Sequence, residues 1–271
     1  MSLETTGTVL LIGAGKMGTA MAEGWIGAGL PGSSLVLVDP APHDSVVEFA
    51  RRAGAALRRD LPSEPPRVMV LAVKPQVMDG VLAASRHIVG PDTLVLSIAA
   101  GISIARFAQG LGTERIVRTM PNTPAQLGKG VTGAVAATAV TPEDRALADA
   151  LLAAAGDVAW LDDETGIDAL TAVSGSGPAY VFYMVEALAR AGEKQGLGAD
   201  QAMRLARQTI IGAAALLEAD PAPAEQLRKN VTSPGGTTQA ALDVLMADNG
   251  LGPLMERAVG AARKRSEELG Q

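Results

Sequence analysis

Two short runs carry most of the chemistry available to this chain. Val231-Thr232-Ser233-Pro234-Gly235-Gly236-Thr237-Thr238 follows a short polar helical run and opens a stretch with amphipathic helical spacing. Ser233-Pro234 extends the backbone. Gly235-Gly236 strips it of side chains, so that main-chain N–H groups can approach a ligand closely. Thr237 and Thr238 then set hydroxyls at a helix N-terminus, where the dipole and unpaired amides favour an anion. That is the chemistry of a pocket for a small carboxylate beside one or two neutral hydroxyl donors. A purely structural account of the same residues is a Gly-Gly turn with a Thr cap.

The second run is Gly13-Ala14-Gly15-Lys16-Met17-Gly18. Alone, a Gly-x-Gly-x-x-Gly says little. Here it follows the apolar run Thr8-Val9-Leu10-Leu11-Ile12, which reads as a strand buried on both faces. Helical spacing then runs from Thr19 to Ile26. In that context the glycines form a dinucleotide fingerprint: two permit a tight turn and close approach of a pyrophosphate, and the third permits helix–strand packing. Asp39 ends the next apolar run, Leu35 to Val38, where an acidic side chain can accept a hydrogen bond from a ribose 2′-hydroxyl and repel a 2′-phosphate. Local physics thus leans to NAD(H). Arg51 and Arg52 would reach such a phosphate if the loop from Ala41 to Asp44 turns inward, and Asp39-Pro40 can also be read as the start of a turn.

Ionisable catalysts are scarce. His43 and His87 fall in or beside helices and read as surface residues. No His/Asp/Glu spacing suggests a metal site. Ser174 and Ser176 have no histidine nearby in sequence to activate them. Lys194 reads as a solvated helix end, which leaves Lys229, just before the Ser233–Thr238 loop, as the one charged helper. A nicotinamide cofactor does the hard step of a hydride transfer. A ketone acceptor would want a strong proton donor such as Lys or His. An imine basic enough to arrive protonated would not, and a neutral hydroxyl such as that of Thr238 suffices to orient its nitrogen.

The elements that must position these runs follow a βα alternation as far as Asp162-Asp163-Glu164. Strands are predicted at Ala55–Leu57, Val68–Val73, Leu94–Ile98, Arg115–Arg118, Val131–Val140 and Asp157–Leu161, with helices at Ser45–Arg52, Val77–His87 and Ile102–Leu111. Another helix starts at Thr141-Pro142, with proline in the first position. Met120-Pro121-Asn122-Thr123-Pro124 reads as a rigid turn. Lys74-Pro75-Gln76 and the small residues Ala99-Ala100-Gly101 fall at the carboxyl ends of strands, where open α/β sheets bind ligands. From Ile167 onward only helical patterns remain, including one capped by Asp200 and running to Ala219. The fold class is therefore α/β: a Rossmann-type doubly wound, mostly parallel sheet over residues 1–163, followed by an all-α domain over residues 164–271. Helices as apolar as Ala179 to Met184 cannot hide their faces in so short a segment, which predicts a homodimer.

Composition narrows the function classes further. The net charge of −6 over 271 residues, with a sequence pI near 5.0, supplies no basic stripe for nucleic acid. The densest basic cluster, Arg263-Lys264-Arg265, is followed by Glu267-Glu268. The absence of cysteine excludes disulfides and thiolate chemistry and fits a reducing compartment. Met1 to Gly7 is polar, which predicts no signal peptide. The longest uncharged window, Ala169 to Val185, is broken by Ser174-Gly175-Ser176-Gly177-Pro178, which predicts no membrane span. The expectation is a cytoplasmic protein with a small-molecule substrate.

Taken together the motifs resemble the pyrroline-5-carboxylate reductase family over nearly the whole chain. The resemblance rests on the glycine fingerprint, Ala72-Val73-Lys74-Pro75-Gln76, Ser97-Ile98-Ala99-Ala100-Gly101, Met120 to Pro124, Val173 to Tyr180 and, above all, Ser233 to Thr238. It implies reduction of 1-pyrroline-5-carboxylate to L-proline in proline biosynthesis, with NADP(H) or NAD(H). It further implies a dimer intertwined through the helical domain, and a ring of dimers (a decamer) as a larger assembly. By the same resemblance Gly13, Ala14, Gly15, Lys16, Met17 and Gly18 hold the pyrophosphate, and Lys74, Pro75 and Gln76, after Val73, lie along the ribose. Ala99 and Ala100 lie against the nicotinamide, with Asn122 on the same side. Ser233, Gly235, Gly236 and Thr237 receive the substrate carboxylate, Thr238 bonds the imine nitrogen as the catalytic residue, and Val173, Ser174 and Gly175 shape the pocket floor. Asp39 departs from the small or hydroxyl residue common in the family, often found with NADPH preference. A β-hydroxyacid dehydrogenase would place a lysine on the long helix, and Tyr183 to Arg190 has none. A non-catalytic NAD(P) sensor would not need the Ser233–Thr238 loop.

Overall fold

The computed structural model describes residues 2–270; Met1 and Gln271, the outer ends of the two expected domains, lie outside the described residues. The chain forms two compact units. One runs to Gly175 and takes in the chain again from Arg263; the other is Ser176–Ala262.

The first unit is built on a sheet of β1 (Val9–Ile12), β2 (Leu35–Val38), β3 (Ala56–Arg58), β4 (Val68–Leu71), β5 (Leu94–Ser97), β6 (Ile116–Met120), β7 (Gly130–Ala136) and β8 (Gly156–Trp160). Their order is β3-β2-β1-β4-β5-β6-β7-β8. Every neighbouring pair is parallel except β6 with β7. The apolar runs become strands because both of their faces are covered: β1, β4 and β5 are buried at every position. Helices α1 (Lys16–Gly27), α2 (Asp44–Ala53), α3 (Met78–Ser85), α4 (Ile104–Leu111) and α5 (Pro142–Ala153) supply that cover. Trp25 of α1 is fully buried, and its indole donates to the Leu151 carbonyl of α5 at 2.8 Å. This is the mostly parallel, doubly wound architecture that the sequence predicts.

Two polar anchors hold this unit together. Asp144 closes a capping box with Thr141 at the start of α5. Its buried carboxylate accepts hydrogen bonds from Arg67 at 2.8 Å and Arg115 at 2.7 Å. Burial alone would push this carboxyl up, but the hydrogen bonds from Arg67, Arg115 and Thr141 outweigh that and hold it below the ordinary carboxylate range. Glu164 accepts from Arg118 of β6 at 2.6 Å and from the Ile104 amide of α4 at 3.0 Å. The chain then runs through α6 (Thr165–Leu170) into a π-helical turn at Thr171–Gly175.

The second unit is helical: α7 (Gly177–Lys194), α8 (Ala199–Ala219), α9 (Ala224–Asn230), α10 (Thr237–Leu245) and most of α11 (Leu251–Leu269). Its buried centre is slight. Ala189 of α7 packs on Ala202 and Ala206 of α8, with Val185 partly buried against them. Phe182, Tyr183 and Ile211 remain 65%, 63% and 57% exposed.

The structure corrects several local expectations. Gly198, in extended conformation, caps α8; Asp200 lies in the first turn, where its charge suits the dipole. The Val77–His87 helix is shorter, Met78–Ser85, flanked by 3-10 turns at Pro75–Val77 and Arg86–Ile88. Met120 ends β6 rather than starting a turn, because it still pairs with Gly133 across the antiparallel edge. β7 stops at Ala136, since Ala137 and Val140 close a turn into the Thr141 cap.

Candidate functional site

The glycine run folds as a tight turn between β1 and α1, and its geometry shows why the residue type is required. Gly13 has φ +95°. A Cβ there would meet Val73 Cγ1 at 2.8 Å and the Ala72 carbonyl carbon and oxygen at 2.9 Å. A Cβ on Gly18 would meet the Gly13 oxygen at 2.5 Å, so the helix can approach the strand only without a side chain. Gly15 is the opposite: nothing lies within 4 Å of its absent Cβ, so it faces open space.

That space is a cavity of about 750 Å³ at the carboxyl edge of β1, β2, β3 and β4. Gly13, Gly15, Asp39, Val73 and Lys74 line it, which gathers five of the residues singled out from the sequence. Ala14, Lys16, Met17 and Gly18 belong to the same turn and the helix it opens. Pro75 and Gln76 continue from Lys74 as a 3-10 turn. Ala99, Ala100 and Asn122 are not part of its wall. The far wall is α3 and the turn before it, through Val77, Val81 and Ser85; among the described residues the buried Ser85 hydroxyl has no hydrogen-bond partner. A glycine cradle opening on a mainly apolar cavity with charged residues in its lining fits a dinucleotide: N–H groups for a pyrophosphate, aliphatic walls for a base.

Sequence reasoning missed Arg59, Asp60 and Leu61 on this wall and named Arg51 and Arg52 instead. Arg52 turns to Glu23 at 3.6 Å. The available signal was register: β3 lies beside β2, so the residue after β3 falls beside the residue after β2. Asp39 is itself tied in place. Its Oδ2 accepts the Ala14 amide at 3.1 Å and its Oδ1 the Ala41 amide at 2.9 Å.

Just past the end of β6, Asn122 is brought together with the π-helical turn. Its side-chain amide donates to Ser174 Oγ at 3.1 Å and to the Ser174 carbonyl at 3.3 Å, and its oxygen accepts the Val131 amide at 3.0 Å. Gly175 sits near Met120, whose Cε would lie 3.2 Å from an added Cβ. Val173 points outward, 63% exposed. A π turn places successive residues on a widened face, a local distortion frequent where a helix serves a ligand.

In the helical unit, Gly235 adopts φ +70°, which a residue with a Cβ adopts only with strain. The Gly236 amide closes the turn on the Ser233 carbonyl at 3.0 Å. Gly236, not a threonine, is the N-cap of α10, and it brings no side-chain cap. No side chain therefore covers the first-turn amides. The amides of Thr237, Thr238 and Gln239 precede the first intrahelical bond, Ala240 N–H to the Gly236 carbonyl at 3.2 Å. The Thr237 and Thr238 hydroxyls have no hydrogen-bond partner among the described residues, and Thr238 is half-buried. An α-helix start with bare amides, two unengaged hydroxyls and no competing cap suits a small anion. Lys229 is turned to Glu225 at 2.7 Å.

Comparison with known proteins decides the family. A model of the pyrroline-5-carboxylate reductase dimerisation domain matches residues 164–269. A Pseudomonas aeruginosa pyrroline-5-carboxylate reductase is 43% identical across 98% of each chain. The chain belongs to the pyrroline-5-carboxylate reductase family. A pyrroline-5-carboxylate reductase of Pisum sativum is 38% identical over 98% of this chain and 97% of its own. Among solved structures, the Coxiella burnetii pyrroline-5-carboxylate reductase superposes with a TM-score of 0.92 at 35% identity, covering 98% of this chain and all of that one. The Plasmodium falciparum pyrroline carboxylate reductase, solved with NADP bound, gives 0.81 at 29% identity, covering 97% of this chain and 98% of that one. Residues 8–101 also match the coenzyme F420-dependent NADP oxidoreductase model, the segment that carries the glycine turn and every residue lining the cavity. Membership of the pyrroline-5-carboxylate reductase family thus spans both compact units.

Proposed function

We propose that this chain is an oxidoreductase that reduces 1-pyrroline-5-carboxylate to L-proline with NAD(P)H, the closing step of proline biosynthesis. The observation that carries the reading is the glycine cradle opening on the 750 Å³ cavity, in a chain whose family match runs through both units. Bound NAD(P)H supplies the hydride. The chain binds and orients. The amides at the glycine turn receive the pyrophosphate, Lys74 to Gln76 follow the ribose, and Ala99, Ala100 and Asn122 serve the nicotinamide end.

The substrate carboxylate docks on the first-turn amides of α10 with Ser233, Gly235, Gly236 and Thr237; dipole alignment contributes about 0.3–1 kcal/mol. Thr238 fixes the imine nitrogen by a hydrogen bond, and Val173, Ser174 and Gly175 shape the floor. The imine carbon accepts the hydride while its nitrogen, protonated on arrival, becomes the secondary amine. No side chain has to give a proton in that step, which matches the poverty of ionisable groups around the loop. Positioning therefore supplies most of the acceleration.

Nucleotide binding belongs to residues 1–163, and substrate binding with dimerisation to residues 164–271. The homodimer forms through the apolar face of α7 and α8, with rings of such dimers as the larger assembly, in the cytoplasm. Among the described residues no helix is long and apolar enough to cross a membrane. The test is loss of reduced-nicotinamide absorbance with 1-pyrroline-5-carboxylate, run separately with NADH and NADPH, with proline identified as product. No substrate-dependent loss with either cofactor would refute the assignment.

A further inference from the structure

Asp39 and Arg59 occupy one corner of the cavity, and they are held differently. Val38 of β2 pairs in register with Arg58 of β3, and the Asp39 amide donates to the Arg58 carbonyl at 3.1 Å. The next residues along these parallel strands, Asp39 and Arg59, therefore lie about one strand spacing apart at the carboxyl edge. Both line the cavity. Asp39 is clamped: each carboxylate oxygen already accepts a backbone amide, one of them inside the glycine turn. It cannot swing away from a ligand without releasing that turn. Arg59 is exposed and makes no ion pair or hydrogen bond among the described residues.

The two nicotinamide cofactors differ only at the ribose 2′ position. A 2′-hydroxyl can donate to the free lone pairs of Asp39 and asks nothing of Arg59. A 2′-phosphate in that place meets a fixed carboxylate, with Asp60 adding a second negative charge to the same wall. The cavity's other cation, Lys74, follows β4, two strands away from β3. Among the described residues Arg59 is the one arginine lining the cavity, its guanidinium is unspent, and that planar group suits a phosphate.

We propose that Arg59 is a specificity-determining residue: it recognises the 2′-phosphate of NADPH and so admits that cofactor despite the clamped Asp39. The proposal rests on the cavity being the NAD(P)H site. The test is binding, not turnover. Affinities for NADH and NADPH come from nicotinamide fluorescence, and those for 5′-AMP and adenosine 2′,5′-bisphosphate from calorimetry, on the wild-type chain, Arg59→Ala and Arg59→Lys. Arg59→Ala weakens NADPH and the bisphosphate by roughly tenfold or more, leaves NADH and AMP within about twofold, and flattens the salt dependence of the bisphosphate. Arg59→Lys recovers part of the loss. NADH and NADPH affinities that fall together, or do not move, overturn the proposal while leaving the cavity reading standing. Failure of the wild-type chain to bind any of the four overturns the cavity reading and this proposal with it.

Discussion

The nucleotide unit and the helical unit solve the problem of apolar surface in opposite ways. In the first, strands such as β1 and β4 are covered on both faces, and Trp25 and Phe107 are fully buried. In the second, the buried centre is three alanines, while Phe182 and Tyr183 stay mostly exposed. A sheet with helices on both sides closes its own core. A few helices with small-residue contacts cannot, and the apolar side chains left exposed are what the proposed dimer would cover. The first unit is thus stabilised from within, and the second, in the proposed homodimer, by association, so substitutions of similar severity should fail differently in the two.

The largest expected effect is Asp144→Ala. Removing a fully buried carboxylate leaves Arg67 and Arg115 without their shared partner, a change that costs about 3–5 kcal/mol. Chemical denaturation of the variant should show this loss in the nucleotide unit with the helical signal following rather than leading. The same carboxylate makes the wild-type unit acid-labile. Its folded-state pKa lies below the unfolded value of about 4, so the unfolded chain binds the proton more readily. The stabilisation is fully present above the unfolded pKa and is lost as pH falls through the folded one. A midpoint that is flat through that acid range would remove Asp144 as the anchor.

Next comes Phe182→Glu, on the exposed face of α7. A charge in a proposed apolar interface costs several kcal/mol when buried without a partner. Sedimentation should show the monomer, while NADH affinity, proposed to belong to the other unit, stays within about twofold. A variant that remains a dimer would move the interface off this face.

These two substitutions also mark what was legible in the sequence. The two-sided burial of β1 was visible as an unbroken apolar run, and the α5 start as Thr141-Pro142, because both are encoded within one element. Exposure of α7 was visible as an apolar surplus. The α8 cap was misread because Asp200 and Gly198 both suit a helix start, and the choice depends on how the chain leaves Gly196, at φ +96°. Partners far apart in sequence were invisible: Asp144 with Arg67 and Arg115, Glu164 with Arg118, Asn122 with Ser174. Each depends on strand order, which local pattern does not contain. Arg59 belongs to the same class, since its place beside Asp39 exists only once β3 pairs with β2.

Within the sites, Thr238→Ala should lower kcat roughly tenfold to a hundredfold, the cost of a hydrogen bond to a charged group, with cofactor affinity unchanged. An unaltered rate with 1-pyrroline-5-carboxylate would strip Thr238 of its role. Asp39→Ser should have a smaller and mixed effect. It releases the Ala14 amide, so both cofactors bind more weakly. It also removes the fixed negative charge, so the NADPH-to-NADH ratio rises several-fold. Equal ratios before and after would show that Asp39 only holds the turn.

The smallest effect is expected at Lys229→Ala. Lys229 is the charged residue closest in sequence before the Ser233–Thr238 loop, and on sequence alone it is the one cationic helper available. The structure gives it an exposed i,i+4 partner, Glu225 at 2.7 Å, and such pairs contribute about 0.3–0.5 kcal/mol. If the substrate carboxylate is held by bare helix amides, a lysine already paired in solvent adds little. Turnover and KM should then stay within about twofold, and stability within half a kcal/mol or so. A large rise in KM that salt reproduces in the wild type would mean that a side-chain charge, rather than the α10 backbone, carries the carboxylate. The contrast between a well-anchored glycine turn proposed for the cofactor and a charge-poor loop proposed for the substrate would then have to be redrawn.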